Sequence, residues 1–514
     1  MQSKLKTRFG SRQVLLASFA VLLSSYIAYA AGLATNVLTA RALGPEEFGK
    51  LAYFIWLTGI LVIAFNNGIT VTLIRFLAES VGEGDYSKAG GQENWLRNAL
   101  WLCIVVLSGL CAFSYNYLGL ELTATPLAVT VILLLLAATA KSIYIFDVSK
   151  AKGYGEFNIE PRSSSLLAIL SAVLTVIVYL CEGQTIHYLL IFLLASILHP
   201  LFSRYLLSRS QITPTGDGWQ FKPDSSFRSH LYWSSLLCIV SLSSNRALET
   251  YLLNAYYTSS EVGKFIVAAT LARAGLDLVS VGMNAVLMPV LGHGLGSGGP
   301  EEVDRITQRA VKYMFFLGLL FSGTCYFFAD PLVAALYGKS FAESALAFKV
   351  LITTGGLTLA SGVFGAYLST TNQQKPRAFI AMGSAVIQGI VAALSVPKFG
   401  LWGAVASTSI GGLVVNYLLY YRSTRTSRLA LPNRELITAF TLSLGLMAVL
   451  LLSTHFFPSN YSTLAAGLVF GVLFPGLSLL FGVWSRVDIC MAKNLFSKRT
   501  VGYKFFSYLE KSVK

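Results

Sequence analysis

Lysine and arginine in this 514-residue chain fall almost entirely on alternate connections between about fourteen apolar segments, and that alternation constrains the fold more than any motif does. A hydrocarbon layer about 30 Å thick demands roughly 20 apolar residues of a helix that rises 1.5 Å per residue. Segments of that kind run at about 14–38, 50–73, 97–118, 126–146, 164–181, 185–205, 231–253, 262–290, 310–329, 345–370, 378–397, 402–421, 435–456 and 462–484. The expected fold is all-α: a polytopic membrane protein with about 14 transmembrane helices.

Of the 39 basic residues, only Arg41, Lys50, Lys264, Lys339, Lys349 and Lys398 sit on the odd connections, and Arg246 and Arg273 lie inside apolar segments. The other 31 occupy the two tails and the even connections. Basic residues are retained on the cytoplasmic side, so both termini are predicted to be cytoplasmic. With 54% hydrophobic and 12% charged residues and a mean hydropathy of +0.63, no large soluble domain fits. The net charge of +15 is accounted for by a cytoplasmic face held against anionic membrane lipids. No nucleic-acid partner is needed, because the aromatics lie in apolar runs and are not interleaved with a basic stripe.

Near the N-terminus, Ala28-Tyr29-Ala30 has the shape of a signal-peptidase site behind a basic stretch. Apolar residues continue to Leu38, however, so the segment is long enough to span and is expected to be retained. The six cysteines show neither CxxC nor Cys/His spacing, so no metal site is expected.

The chain also resembles itself. Glu47-Phe48-Gly49-Lys50 and Glu261-Val262-Gly263-Lys264 stand 214 residues apart, and Gly68 matches Gly282 at the same offset. Two six-helix halves follow, at 14–207 and 231–421, preceded by a basic tail at 1–13 and joined by a cytoplasmic linker at 208–230. Six is even, so the repeat is parallel, and a central cavity between the halves is expected. Two additional helices occupy 422–484. In the basic tail at 485–514, Leu495, Phe496, Phe505, Phe506 and Leu509 alternate with cations, as in an interfacial helix or a disordered tail.

Three stretches carry a family resemblance. Arg41-Ala42-Leu43-Gly44-Pro45-Glu46-Glu47-Phe48-Gly49 resembles the R-x-L-G-P-x-x-F-G turn of polysaccharide-exporting flippases. Ala329-Asp330-Pro331-Leu332 through Tyr337-Gly338 and Phe341 resembles that family's connection before its tenth helix, and Gly400-Leu401-Trp402-Gly403-Ala404 its entry to the twelfth. With two six-helix halves, the whole chain is similar to the multidrug/oligosaccharidyl-lipid/polysaccharide (MOP) exporter superfamily, in its Wzx-type branch. The resemblance implies a bacterial inner-membrane flippase. Such a protein moves an undecaprenyl-diphosphate-linked oligosaccharide to the periplasmic leaflet for O-antigen or exopolysaccharide synthesis, beside other polysaccharide-assembly membrane proteins. The first helix lacks both the carboxylate often found in cation-coupled multidrug exporters and the Arg-Asp pair of the lipid II flippase branch. A cation-coupled multidrug (MATE-like) exporter remains the alternative.

Charges at lipid depth locate the candidate site. Each costs roughly 2.5–3.5 kcal/mol at a helix centre and is kept only beside a partner or a wet cavity. Arg246 and Glu249 lie three apart in the seventh segment, Arg273 and Asp277 four apart in the eighth, and each pair shares a helix face. The two arginines fall at similar depth, where planar bidentate donors suit a diphosphate. Pairing of these arginines with Glu249 and Asp277 as structural glue is the competing assignment. Asn36, Asn66 and Asn67 in the first half are either helix-to-helix partners or glycan ligands. Arg75 and Lys141 are expected to snorkel to the cytoplasmic interface or to line a basic vestibule, and Asp147 lies near them.

Nothing supports nucleotide hydrolysis. Gly338-Lys339-Ser340 ends like a phosphate-binding loop, but the glycine required five residues earlier is Val333. Gly292 to Gly299 lacks a preceding strand and is expected to be a hinge between the eighth and ninth helices. Membrane glycosyltransferases carry large periplasmic connections with catalytic carboxylates, whereas Glu46 and Glu47 lie in a short turn, where a capping role is expected. No cofactor is expected. The remaining energy source is the membrane potential or a proton or sodium gradient, with Glu249 and Asp277 as coupling candidates.

Overall fold

In the computed structural model the chain is helical wherever regular structure is described, and the helices follow the apolar segments. Described are residues 11–114, 126–210, 221–244, 247–371, 373–426, 429–456, 460–485 and 488–490. Arg246, the middle of the linker at 211–220 and the basic tail beyond Cys490 lie outside the described residues.

The helices are α1 (Ser11–Asn66), α2 (Ile69–Glu83), α3 (Tyr86–Phe113), α4 (Leu127–Gly153), α5 (Ile159–Leu180), α6 (Thr185–Arg209), α7 (Ser225–Ser244) and α8 (Ala247–Tyr256). They continue with α9 (Ser259–Tyr337), α10 (Ala342–Leu357), α11 (Ser361–Thr370), α12 (Gln374–Phe399), α13 (Leu401–Tyr421), α14 (Asn433–Phe456) and α15 (Asn460–Leu480). Among the described residues, 11 helices are long and apolar enough to cross a membrane. The exact number of about fourteen is not established by that measure, partly because α1 and α9 each run two apolar segments together.

Both joins have a local cause. At Gly44 (φ 70) the chain enters the left-handed region that ends a helix, and Pro45, with its fixed φ and missing N–H, starts the next one. Gly299 (φ 68) followed by Pro300 does the same inside α9, so the turn falls at that dipeptide and Gly292–Gly298 remain helical. A third break, inside the second apolar segment, separates α1 from α2 at Asn67 (φ 22) and Gly68 (φ 78).

Two compact units form. The first comprises Met1–Ile266, Leu336–Phe341 and Gly389–Ala404, and the second Val267–Ala335, Ala342–Gln388 and Val405–Lys514. In the first, α1 packs on α5 and α4, α2 on α3 and α4, and α6 on α4 and α5. Its core joins Phe65, Leu73, Phe76, Leu96, Phe146 and Phe227. In the second, one core gathers Leu291, Met314, Phe364 and Leu368, and another holds Phe316, Phe470 and Phe474, with Phe316 stacked on Phe474 at 4.9 Å between centroids. Many large apolar side chains of α3, α5 and α14 face outward, as they must where the solvent is lipid.

Candidate functional site

In the second unit, Arg273 stands on α9 with its side chain 64% exposed and its Nε 3.6 Å from an oxygen of Asp277, one turn further on. That is an ion pair beyond hydrogen-bond length. The rest of the same turn is packed: Gly275 lies under Phe321, and Leu276 against Gly355. Arg273 lies about 21 Å along the helix from Ser259, well within membrane depth. A charge kept inside an apolar segment needs a partner or a wet cavity beside it. The candidate partner at similar depth, Arg246, lies outside the described residues, and Glu249 of the first unit is buried.

The asparagines divide by role. Asn36 accepts a 2.8 Å hydrogen bond from the Tyr337 hydroxyl, a helix-to-helix contact. Asn66 donates to the Val62 carbonyl at 2.8 Å within its own helix, and its buried Oδ1 has no partner among the described residues. Asn67 has its carbonyl at the helix break, where it accepts from Ser235 of α7 at 2.7 Å. Of the three, Asn66 is the one with an unsatisfied buried acceptor, the kind of group that a hydroxyl-bearing ligand or water satisfies.

Below the break, His230 Nδ1 lies 3.2 Å from Thr72 Oγ1 and 3.3 Å from Ser234 Oγ, with its ring edge-on to Phe76. Burial, and then the charge of Arg75, push the His230 imidazole below its ordinary pKa. Arg75 is exposed, with its guanidinium 5.1 Å from the Phe76 ring centroid. His230 was not among the sequence candidates. It ends a polar linker, and nothing in the chain's local pattern marks it.

Lys141 departs from the snorkelling expectation. Its Nζ sits 4.1 Å over the Phe192 ring, so it is held between α4 and α6 about 21 Å from Leu127 and near the helix middle. The carboxylates nearer the basic end are paired instead with other cations. Asp147 accepts from Arg204 Nε at 3.0 Å. The fully buried Glu93 takes Arg97, Lys150 at 2.8 Å and the Tyr154 hydroxyl at 3.4 Å. Burial and the Glu93 charge raise the Tyr154 phenol above its usual range.

In the second unit Asp488 is buried and accepts from Lys312, from Tyr313 at 2.6 Å and from Ser485. Burial alone would raise its carboxyl pKa, but these hydrogen bonds together hold it below the ordinary value.

Comparison with known proteins places this arrangement. Residues 15–294 match the family model described as polysaccharide biosynthesis protein, and residues 265–474 match that of the lipid II flippase MurJ. No curated protein matches the chain. Among solved structures, the lipid II flippase MurJ in an inward closed conformation superposes with a TM-score of 0.71 at 16% identity, covering 90% of this chain and 97% of that one. An inward-facing multidrug resistance MATE family transporter of the MOP superfamily gives 0.65 at 18% identity, covering 78% and 94%. A MOP superfamily transporter from Pyrococcus furiosus gives 0.58 at 18% identity, covering 83% and 98%. At these identities the likeness is one of fold.

Proposed function

Given that the chain belongs to the polysaccharide biosynthesis protein family, whose model spans more than half of it, we propose that it is a flippase for an undecaprenyl-diphosphate-linked oligosaccharide. It works in a bacterial inner membrane with both termini cytoplasmic, moving its substrate from the cytoplasmic to the periplasmic leaflet by alternating access for O-antigen or exopolysaccharide assembly. The observation that carries the reading is Arg273, a permanent cation 64% exposed at lipid depth. A diphosphate passing that point replaces the water around the guanidinium with charge-assisted hydrogen bonds. The loose Asp277 contact at 3.6 Å leaves the cation available and gives the anion something to displace on arrival and yield to on release.

Arg246 is assigned the same duty, Arg75 and Lys141 the basic approach, and Asn66 and Asn67 contact with the glycan. The protein is a transporter without nucleotide hydrolysis, driven by the membrane potential or by a proton or sodium gradient through Glu249 and Asp277. Anionic lipids hold the basic face, and other polysaccharide-assembly membrane proteins are its partners.

Replacing Arg273 and Arg246 by Gln in a host lacking its own flippase tests the reading. Each single change is expected to lower surface glycan about tenfold or more, the loss that one charge-assisted contact of roughly 1.5–3 kcal/mol represents. Undiminished glycan with the double variant correctly inserted would remove the proposal. Resistance to cationic drugs that falls with Asp277→Asn would favour a cation-coupled multidrug exporter instead.

A further inference from the structure

The duplicated tetrapeptide has a structural role that neither copy shows alone. After the turn at Gly44, Glu47 Oε2 accepts from the hydroxyl of Thr185, the first residue of α6, at 2.7 Å. Its other oxygen takes Lys50 Nζ at 2.8 Å. In the second copy, Glu261 Oε2 accepts from the backbone N–H of Leu401, the first residue of α13, at 3.1 Å, and Lys264 Nζ lies 3.7 Å from its other oxygen. Each glutamate therefore ties the start of its own helix to the N-terminus of the sixth helix of its own repeat, where the helix dipole favours a carboxylate.

Between the two glutamates the glycines face each other. A Cβ on Gly49 would collide with the carbonyl oxygen of Ser259, and one on Gly263 with that of Pro45. Ser259 is four residues before Gly263 and Pro45 four before Gly49, so the two contacts are related by a local two-fold. That on Gly263 would also lie 3.2 Å from the Gly49 Cα. The backbones thus touch with no side chain between them, the close approach that small residues permit in membrane helices.

We propose that the Gly49–Gly263 crossing is the joint that closes the protein on its charge-poor face, and that Glu47 and Glu261 are positioning residues that keep each joint helix moving with its sixth helix. This rests on the flippase reading: that face is where a transported head leaves. The crossing itself suits separation because it is a backbone contact of Cα–H···O type, individually weak, and the side chains that flank it form a small cluster, with Phe48 edge-on to Phe341 at 6.0 Å between centroids and the Tyr337 hydroxyl donating to Asn36. The carboxylate ties survive separation because each is made within one repeat.

A labelling experiment that needs no substrate tests the joint. Ala52, 7% exposed and one turn below Gly49 on the same side of the helix, is replaced by Cys in a chain whose six native cysteines are changed to Ser. Labelling by a membrane-impermeant maleimide is followed on spheroplasts. Gly263→Val and Gly49→Val wedge the crossing and are expected to speed labelling about tenfold, the population shift that 1.4 kcal/mol gives. Gly59→Val, where a Cβ meets open space, is expected to change nothing.

Unchanged labelling in both wedge variants would overturn the proposal. Should the wedge variants fail to accumulate, Glu47→Gln with Glu261→Gln, which keeps both glycines, is expected to raise labelling two- to threefold, and no rise overturns it equally. Faster labelling beside glycan export indifferent to Arg273→Gln would leave the joint standing and remove the substrate assignment.

Discussion

Among the described residues no carboxylate pairs with Lys141, whose ammonium lies 4.1 Å over the Phe192 ring. A cation over a ring gains roughly 0.5–2 kcal/mol, against an insertion cost of about 2.5–3.5 kcal/mol for a charge at the centre of a membrane helix. The balance is unfavourable, whereas the nearby Asp147, Glu93 and Arg204 are all paired. Lys141→Met keeps the length of the stem and removes the charge, so it is expected to raise the melting temperature of the detergent-purified protein by about a degree or two. Glycan export is expected to fall in the same variant, as when an unfavourable group is kept for its function. A lowered melting temperature would mean that the ammonium is structural after all.

A helix break costs hydrogen bonds, and the one at Asn67–Gly68 sits inside what the sequence presents as an unbroken apolar run from 50 to 73. Ser235 of α7 repays part of that cost through its bond to the Asn67 carbonyl. Gly68 is required twice over: its φ is 78°, and a Cβ would lie 2.5 Å from the Ser235 nitrogen. Gly68→Ala is therefore expected to destabilise by about 1–3 kcal/mol, whereas Gly59→Ala, in open helix, should be neutral or stabilising by up to roughly 1 kcal/mol; thermal melts of the two variants side by side decide it. The element pattern was legible because hydropathy reports length and burial in lipid. The turn at Gly44-Pro45 was equally plain because both residues restrict the backbone locally. The Asn67 break, the His230 environment and the placement of Lys141 depend on which helix lies alongside, and no spacing within one segment encodes that. Glu47 and Glu261 fall between these cases: the repeat singled out both motifs, but the sixth-helix termini they hold are 138 and 140 residues away.

At the scale of the whole chain, covalent duplication and present contacts divide the molecule differently. Residues 231–266, 336–341 and 389–404, expected in the second half from the sequence repeat, cluster with the first unit. The helix junctions near 257–259, 337–341 and 399–401 all fall in those stretches, on the charge-poor side, where the Gly49–Gly263 crossing also lies. Orientation is then what gives the crossing its meaning, and orientation rests on 31 basic residues against six. Alkaline phosphatase fused after Gly183, in the α5–α6 turn, is expected to be active, and fused after Thr215, in the linker, inactive; a fluorescent protein joined after Lys514 should fluoresce. Four lysines inserted at Gly183 place charge where only Glu182 now stands, and each adds to the cost of translocating that turn. The α5–α6 hairpin should then fail to insert in a measurable fraction of molecules, read as lost phosphatase activity at Gly183. Activity at Thr215 with silence at Gly183 would invert the protein, and would put the glycine crossing at the entrance rather than the exit.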